Sequence, residues 1–206
     1  MTEQITTSQV SILQQGFHSI MREGVRSFTV ESLARQLGIS KKTIYKFYPT
    51  KEILLQKIFE FIIGQIHAMF QEIRESEPNP ALQFIKVMEF IAQKISQISM
   101  QKMADLKLRY PRVWREIEQF RLNRVNDFYQ ILKLGQEKGY VRPELDVRTV
   151  ATIYIQIINS TIQPEFFLEH DLPIGRTIRR FMDVVVRGLF TQKGINVLKA
   201  YYDRKN

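Results

Sequence analysis

A short stretch of the chain concentrates ammonium and hydroxyl groups that could bind a polyanion: Lys41, Lys42, Thr43, Tyr45 and Lys46. Ammonium groups neutralise phosphates, and hydroxyls near the start of a helix can hydrogen-bond to phosphate oxygens or to base edges. Within this stretch, Ile44 and Phe47 are apolar and lie three positions apart, so a helix would turn both of them inward. The pattern therefore predicts a helix with one buried face and one outer face suited to nucleic acid.

The residue types needed for catalysis are sparse or scattered. Cysteine is absent, which excludes a disulfide framework and a thiolate nucleophile. The three histidines, His18, His67 and His170, are far apart and follow no metal-ligand spacing. The sequence also contains no glycine-rich phosphate loop and no Gly-x-Ser-x-Gly turn. We therefore expect no enzymatic activity, no metal and no cofactor.

Two short helices must hold the outer face in place. Thr29 and Ser40 can each cap a helix N-terminus, because their hydroxyls accept otherwise unpaired N–H groups. Gly38 follows Leu37, where a residue in the left-handed conformation ends a helix at little cost. The apolar side chains of the two helices form one inward set: Val30, Leu33, Ala34, Leu37, Ile39, Ile44 and Phe47. The arrangement predicts a DNA-binding helix-turn-helix, and the alternative is an ordinary helical hairpin with a solvated charged face.

The segment from about Ile12 to Leu55 resembles the N-terminal domain of the TetR family of bacterial transcriptional repressors. The matching features are Gly24, Phe28-Thr29-Val30, Leu33-Ala34, Leu37-Gly38-Ile39-Ser40 and, most specifically, the run from Thr43 to Leu54. In that run an aromatic pair precedes a proline and then a Lys-Glu-x-Leu sequence that opens a long helix. Ser32 departs from the family pattern, which commonly has an acidic residue at that position.

The resemblance implies DNA-binding roles for individual residues of this stretch. The positions that usually face bases hold Lys41, Lys42 and Tyr45. The positions that usually contact phosphate hold Thr29, Thr43, Lys46, Tyr48 and Lys51, and Ser40 joins the same set as the cap of the recognition helix. Either Phe47 or Tyr48 should fill the small core. Helical spacing favours Phe47, whereas the family pattern favours Tyr48.

The length of 206 residues and the family resemblance together suggest two domains. We predict an all-α protein with a DNA-binding domain at residues 1–50 and a larger helical domain for effector binding and dimerisation at 51–206. The net charge of +9 is compatible with a polyanionic partner. The excess is not concentrated in the first domain, so the positions of the charges are more informative than their sum.

Hydrophobic periodicity and capping residues predict helices along nearly the whole chain. Outside the helix-turn-helix, the predicted helices cover 8–22, 50–76, 80–98, 100–109, 111–138, 146–163 and 174–192, with a short amphipathic tail at 195–202. Thr50 and Asp146 are the expected N-caps of two of them, and Gly194 is expected to end the last long helix. Residues 164–173 are expected to form a loop or a broken turn.

The sequence carries no predicted targeting or membrane-spanning segment. The N-terminus is polar and lacks the apolar centre of a signal peptide. The best apolar run, residues 150–162, is interrupted by polar residues and is shorter than the ~20 residues that a membrane-spanning helix needs. We expect a soluble cytoplasmic protein with no membrane partner.

Members of the family usually bind a small-molecule effector in the larger domain, so a ligand pocket is expected there. The candidate lining residues are His67, Phe70, Met88, Ile91, Met100, Met103, Trp114, Phe128 and Tyr129. Methionine suits an adaptable cavity, although methionines and aromatics at helical spacing are also typical of an ordinary core. His67 could supply a polar contact in the pocket or could be a satisfied, partly exposed histidine.

Two late helices carry apolar residues around most of their circumference, which indicates burial on more than one side. The family resemblance implies that these helices form a four-helix interface between two copies of the chain. The candidate interface residues are Tyr154, Ile158, Ile162, Ile178, Val185 and Leu189. The alternative is a deeply buried core in a monomer. A dimer would present two helix-turn-helix units, here called the two reading heads, to a palindromic operator in double-stranded DNA.

The sequence therefore predicts a homodimeric repressor that is released from its operator by an unidentified small molecule. Two alternatives stay open at this stage. One is a helix-turn-helix regulator without a small-molecule switch, and the other is a helical interaction module that has lost DNA binding.

Overall fold

A computed structural model describes residues 7–205, which fold almost entirely into α-helices. The helices are α1 (Thr7–Glu23), α2 (Val30–Leu37), α3 (Lys41–Phe47), α4 (Lys51–Ser76), α5 (Pro80–Ser96), α6 (Met100–Arg109), α7 (Pro111–Leu122), α8 (Val125–Glu137), α9 (Val147–Thr161), α10 (Pro164–Glu169), α11 (Ile174–Leu189) and α12 (Gln192–Asp203). The predicted all-α class is confirmed. The first six residues of the predicted domain 1–50 lie outside the described range.

The described chain divides into two compact units. The first unit contains residues up to His67 together with 98–118, and the second contains residues 68–97 and the chain from 119 onward. Contacts therefore place the first part of α4, all of α6 and part of α7 with the helix-turn-helix. The functional boundary predicted at residues 50 and 51 stays a prediction.

The first unit has its own hydrophobic core, formed by α1 to α4 with α6 and α7. Its fully buried side chains include Ile12, Ile20, Phe28, Leu33, Ile44, Leu54, Leu55, Ile58 and Leu106. Phe17 of α1 and Phe59 of α4 meet edge to face, with ring centroids 6.2 Å apart. Burying several aliphatic side chains at about 1.5–3 kcal/mol each gives the short helices α2 and α3 a stable platform.

The second unit has a separate core, built from α5, α8, α9, α11 and α12. Its buried side chains include Phe84, Phe128, Leu132, Tyr154, Met182 and Phe190. Phe84 contacts both Phe128 and Phe190, with ring centroids 5.6 and 5.2 Å away. Asp146 caps α9 as predicted, because its carboxylate accepts hydrogen bonds from the N–H groups of Arg148 and Thr149.

The prediction of one helix at 111–138 was wrong, because the structure has two helices there, α7 and α8. The chain breaks between α7 and α8, where the N–H of Arg124 bonds to the carbonyl of Arg121 instead of to a carbonyl four residues back. This tighter turn interrupts the α-helical pattern of hydrogen bonds. Val113 of α7 belongs to the first core, whereas Phe128 of α8 belongs to the second.

The prediction that Gly194 ends the last long helix was also wrong. Helix α11 ends at Leu189, and Thr191 caps α12 by accepting a hydrogen bond from the N–H of Gly194. A Cβ atom at position 194 would lie 2.5 Å from the carbonyl oxygen of Tyr140. The glycine therefore permits close packing against that carbonyl and does not terminate a helix.

Helix α4, with 26 residues, is the longest helix of the described chain. By length and composition alone it could cross a membrane, whereas the best apolar run expected from the sequence was residues 150–162. Its first half is amphipathic, because Leu54, Leu55 and Ile58 are buried while Lys57 and Glu60 pair on the surface at 2.7 Å. This pattern is that of a helix packed against a protein core.

Candidate nucleic-acid interface

Helices α2 and α3 are fixed at their ends by the side chains that the sequence predicted. The hydroxyl of Thr29 accepts a hydrogen bond from the N–H of Ser32 at 3.1 Å, and the hydroxyl of Ser40 accepts one from Thr43 at 3.1 Å. Gly38 ends α2 in the left-handed conformation, with φ 64°. These caps set the turn between the two helices and thereby the direction in which α3 is presented.

The inner faces of the two helices are buried as predicted. Val30, Leu33, Ala34 and Ile44 are buried, and Leu37, Ile39 and Phe47 pack partly buried against them. This burial leaves the opposite side of α3 open to a second molecule, which is the geometry of a reading helix.

Tyr48, and not Phe47, fills the small core. Its side chain is 5% exposed, and burial raises its pKa. The prediction from helical spacing was wrong because α3 ends at Phe47 and Tyr48 adopts φ −133°, so the 3.6-residue period no longer applies. Tyr48 was also predicted to contact phosphate, and its burial leaves little of the side chain for that contact.

The outer face of α3 consists of Lys41, Lys42, Tyr45 and Lys46, which are all exposed. Tyr45 exposes 41% of its surface even though it is aromatic. Arg26 and Arg35 are exposed on the same unit and were not singled out from the sequence, because isolated arginines carry no local pattern. The face therefore combines cations with one exposed aromatic ring, as a nucleic-acid-binding surface requires.

One acidic residue faces this surface. The carboxylate of Glu31, on α2, accepts a hydrogen bond from the ammonium group of Lys41 at 2.6 Å. The bond lowers the pKa of Glu31 and raises the pKa of Lys41. Lys41 keeps its charge but already has a partner, which the sequence did not reveal because the two residues lie on different helices.

Lys51 also has internal partners. Its ammonium group donates to the carbonyl of Val25 at 3.1 Å and to the carbonyl of Phe28, and it lies 5.6 Å from the centroid of the Phe28 ring. Burial, and secondarily the charge of Arg109, lowers the pKa of Lys51. The side chain therefore ties the start of α4 to the loop before α2. One hydrogen of the Lys51 ammonium group remains available for the phosphate contact that the sequence predicted.

A second lysine holds the other side of this loop. Lys102 of α6 donates to the carbonyls of Met21 and Arg22 at the end of α1, with a distance of 2.9 Å to Met21. Cations near the last carbonyls of a helix stabilise its C-terminus. Lys51 and Lys102 thus hold the connection between α1 and α2 from two other helices of the first unit. The role of Lys102 was not predicted, because its partners are distant in the chain.

The predicted ligand-pocket residues are divided between the two units. Met103 and Trp114 are buried in the first core, and Met100 packs against it. Phe128 is buried in the second core, and Met88 and Tyr129 pack against that one. His67, Phe70 and Ile91 are half-buried, and the His67 side chain interacts with neighbouring groups. Of the nine, Met88 lines a cleft in the second unit.

The predicted dimer-interface residues lie mainly inside their own chain. Tyr154, Ile178 and Leu189 are buried, and Ile158, Ile162 and Val185 are half-buried against the second core. The exposed apolar side chains of the same two helices are Ile153, Ile157 and Val184, which are 54%, 41% and 67% exposed. These three exposed positions differ from the six predicted interface residues.

Comparison with known proteins shows that the chain is similar to bacterial transcriptional regulators. Residues 12–58 match the model of the bacterial regulatory proteins of the tetR family. An uncharacterized HTH-type transcriptional regulator of Bacillus subtilis, YvaF, is 28% identical over 86% of this chain and 93% of its own length. The HTH-type transcriptional repressor KstR2 of Mycobacterium tuberculosis is 24% identical over 71% of this chain and 76% of its own length.

The fold is shared with solved regulators. The structure of FadR from Bacillus subtilis, solved in complex with stearoyl-CoA, superposes with a TM-score of 0.59 at 20% identity. The match covers 87% of this chain and 98% of that chain. The capped helix pair, its cationic outer face and the family match all lead to the same assignment. Residues 12–58 are therefore assigned to the DNA-binding domain of the TetR family, and the chain is a DNA-binding transcriptional regulator.

Proposed function

We propose that the chain acts as a homodimeric repressor that binds a palindromic operator and leaves it when a small molecule binds the second unit. The observation that carries the proposal is the outer face of α3. Three lysines and an exposed tyrosine project from a helix whose other face is buried and whose N-terminus is capped. On this proposal, Lys41, Lys42 and Tyr45 contact bases while Thr29, Thr43 and Lys46 contact phosphates.

A small-molecule effector is supported by relatives and by the division of the chain into two units. FadR was solved with stearoyl-CoA bound, so acyl thioesters are the first effector candidates. The effector domain predicted at residues 51–206 begins at the first residue of α4, a single helix that contributes residues to both units. A ligand would act as a switch only if it binds the DNA-bound and released conformations with different affinities.

The homodimer is supported by an exposed apolar surface on α9 and α11. Ile153 and Ile157 lie four residues apart on α9, and an added Cβ at Gly188 of α11 would meet no described atom within 4 Å. Exposed isoleucines at helical spacing are costly in a monomer and are typical of an interface. We therefore move the proposed interface to Ile153, Ile157 and Val184, with a second copy of this chain as the partner.

The experiment that tests the function is a salt-dependent titration of the purified protein with DNA from upstream of its own gene. Unrelated DNA of the same length serves as competitor. Specific retention with a steep decrease of log K with log salt concentration is expected, because each neutralised phosphate contributes about 0.9 to the slope. Adding candidate acyl thioesters to the retained complex then tests release.

The possible outcomes separate the alternatives. Retention that no effector reverses would favour a regulator without a small-molecule switch. Absence of binding at low salt, in a protein that sediments as a folded dimer, would overturn the proposal and favour an interaction module.

A further inference from the structure

A cleft of about 340 Å³ opens on the second unit between α5, α11 and α12. Its walls are mainly apolar and include Ile85, Met88, Met182, Val186 and Leu198, while Glu89, Arg179, Asp183 and Tyr202 supply the polar part of the lining. The carboxylate of Glu89 at its edge already accepts hydrogen bonds from Tyr201 at 2.9 Å and from Lys205 at 2.7 Å. The size and the apolar walls are those of a small-molecule site.

A buried hydroxyl lies directly behind two of these wall residues. The side chain of Tyr154 is 5% exposed, and its hydroxyl lies 3.2 Å from the sulfur of Met88 and 3.2 Å from the sulfur of Met182. These sulfurs are its hydrogen-bond partners in the described part of the chain. A thioether is a weak acceptor, and one O–H group can donate to only one of the two at a time.

The surroundings of Tyr154 keep the hydroxyl available as a donor. Burial raises the pKa of Tyr154, so the group keeps its proton. The ring is stacked between Phe128 at 4.5 Å and Phe181 at 6.0 Å, which fixes its direction. Buried hydroxyls usually have an oxygen or nitrogen partner, and one that has only sulfur partners is suited to exchange them for a better acceptor.

The two methionines form a movable barrier between the cleft and the hydroxyl. Methionine is unbranched and has three rotatable side-chain bonds, so it can change rotamer at low cost. Because both sulfurs contact the hydroxyl and both side chains line the cleft, rotation of either methionine would expose the hydroxyl to the cleft. A ligand entering from the cleft would then reach Tyr154 without displacing a helix.

We propose that the cleft and the Tyr154 hydroxyl form a binding site for a ligand whose inserted part is uncharged and apolar and carries one carbonyl oxygen. The carbonyl accepts the hydrogen bond from Tyr154, and the apolar body occupies the space between α5, α11 and α12. The proposal rests on the proposed ligand-responsive function, for which it assigns a place and a chemical class of effector.

The test uses the full-length protein with ¹³C-labelled methionine methyl groups, without DNA. The probes are acetophenone and α-methylstyrene, which have nearly the same shape but differ in that only the ketone has a carbonyl oxygen. Met88→Leu and Met182→Leu assign the two methyl signals. Acetophenone should shift both signals and bind roughly three- to tenfold more tightly than α-methylstyrene, as a neutral hydrogen bond predicts.

The matched control is Tyr154→Phe, which keeps the ring and removes the hydroxyl. In this variant the two probes should bind equally, and the melting temperature should stay the same or rise, whereas a purely structural hydroxyl would lower it. Unchanged methyl signals up to the solubility limit, or a preference for acetophenone that survives in Tyr154→Phe, would overturn the proposal. Because no DNA is present, failure of operator binding leaves this result unaffected, and failure here leaves operator binding unaffected.

Discussion

The ammonium group of Lys41, at the start of the reading helix, lies 2.6 Å from the carboxylate of Glu31 on the preceding helix. Both side chains are about half exposed, at 52% and 53%. On the proposed DNA contact of Lys41, the negative charge of Glu31 would offset part of the attraction to phosphates in DNA of any sequence. We therefore expect Glu31 to reduce non-specific binding.

We expect Glu31→Gln to raise affinity for unrelated DNA by about two- to fivefold, the range of an exposed ion pair. Affinity for the operator should rise less, so discrimination should fall. Competition titrations at fixed salt measure both. Glu23→Gln is the matched control, because Glu23 pairs with Arg22 at the end of α1. If Glu31→Gln has the same effect in a Lys41→Met background, the ion pair is not the cause.

Lys51 provides a test that separates a phosphate contact from a structural role. Its ammonium group donates to the carbonyls of Val25 and Phe28, so Lys51→Met should lower the free energy of unfolding by about 1–2 kcal/mol. DNA affinity should fall with an unchanged salt slope. Lys46→Met is the control, because Lys46 is exposed on the outer face of α3 and is proposed to contact a phosphate, so its loss should reduce the slope by about 0.9. A reduced slope in Lys51→Met would show a phosphate contact instead.

Local chemistry explains which features could be predicted from the sequence. Thr29, Ser40, Thr50 and Asp146 were all identified as caps, because a cap depends only on a side chain and the next few N–H groups. The inward face of α2 and α3 followed from helical period in the same way. These features position the outer face of α3, so the candidate site could be located from the order of the residues alone.

The features that could not be predicted depend on residues distant in the chain. Lys51 bonds to a carbonyl 23 residues away, and Lys102 to one 81 residues away. Tyr48 turns into the core only because α3 has ended. Position 194 needs a glycine because the carbonyl oxygen of Tyr140 leaves no room for a Cβ atom. Neither period nor composition contains this information.

Tyr45 and Tyr48 are three positions apart but have opposite environments, and their substitutions should differ accordingly. Tyr45→Ala should leave the melting temperature nearly unchanged, since the side chain is 41% exposed, and should reduce discrimination between operator and unrelated DNA by about tenfold. Tyr48→Ala should destabilise the first unit by about 3–5 kcal/mol, as expected for a buried aromatic. Thermal unfolding and competition titration measure the two effects, and equal destabilisation by both would contradict the assignment.

Glu116 should be a source of instability at neutral pH. One carboxylate oxygen accepts a hydrogen bond from Gln56 at 2.8 Å, and the other, Oε2, is buried without a hydrogen-bond partner among the described residues. Burial, together with the charge of Glu60, raises the pKa of Glu116. The folded state therefore holds the proton in a pH range where the unfolded chain has released it, and stability falls as pH rises through that range.

Glu116→Gln removes this penalty, so the melting temperature should rise by about 2–4 °C at pH 7, corresponding to at most ~1 kcal/mol for a partly exposed group. The gain should disappear at pH values below the pKa of an unfolded glutamate, about 4.3. Calorimetry at both pH values measures the difference. Glu52→Gln, at an exposed position of α4, is the control. A gain that is equal at both pH values would indicate a packing effect.

The proposed dimer interface predicts that charge on the exposed apolar face of α9 and α11 separates the two copies. Ile157 and Val184 are 41% and 67% exposed, and burying a carboxylate there against a second copy would be strongly unfavourable. The double variant Ile157→Glu/Val184→Glu should sediment as a folded monomer, and its operator affinity should fall by about 100-fold or more because the two reading heads are no longer linked. Leu108→Glu is the matched control, since Leu108 is 80% exposed on α6 and belongs to the first unit. The Leu108→Glu variant should remain a dimer with unchanged operator affinity. Dissociation of the control, or a double variant that stays dimeric, would place the interface elsewhere.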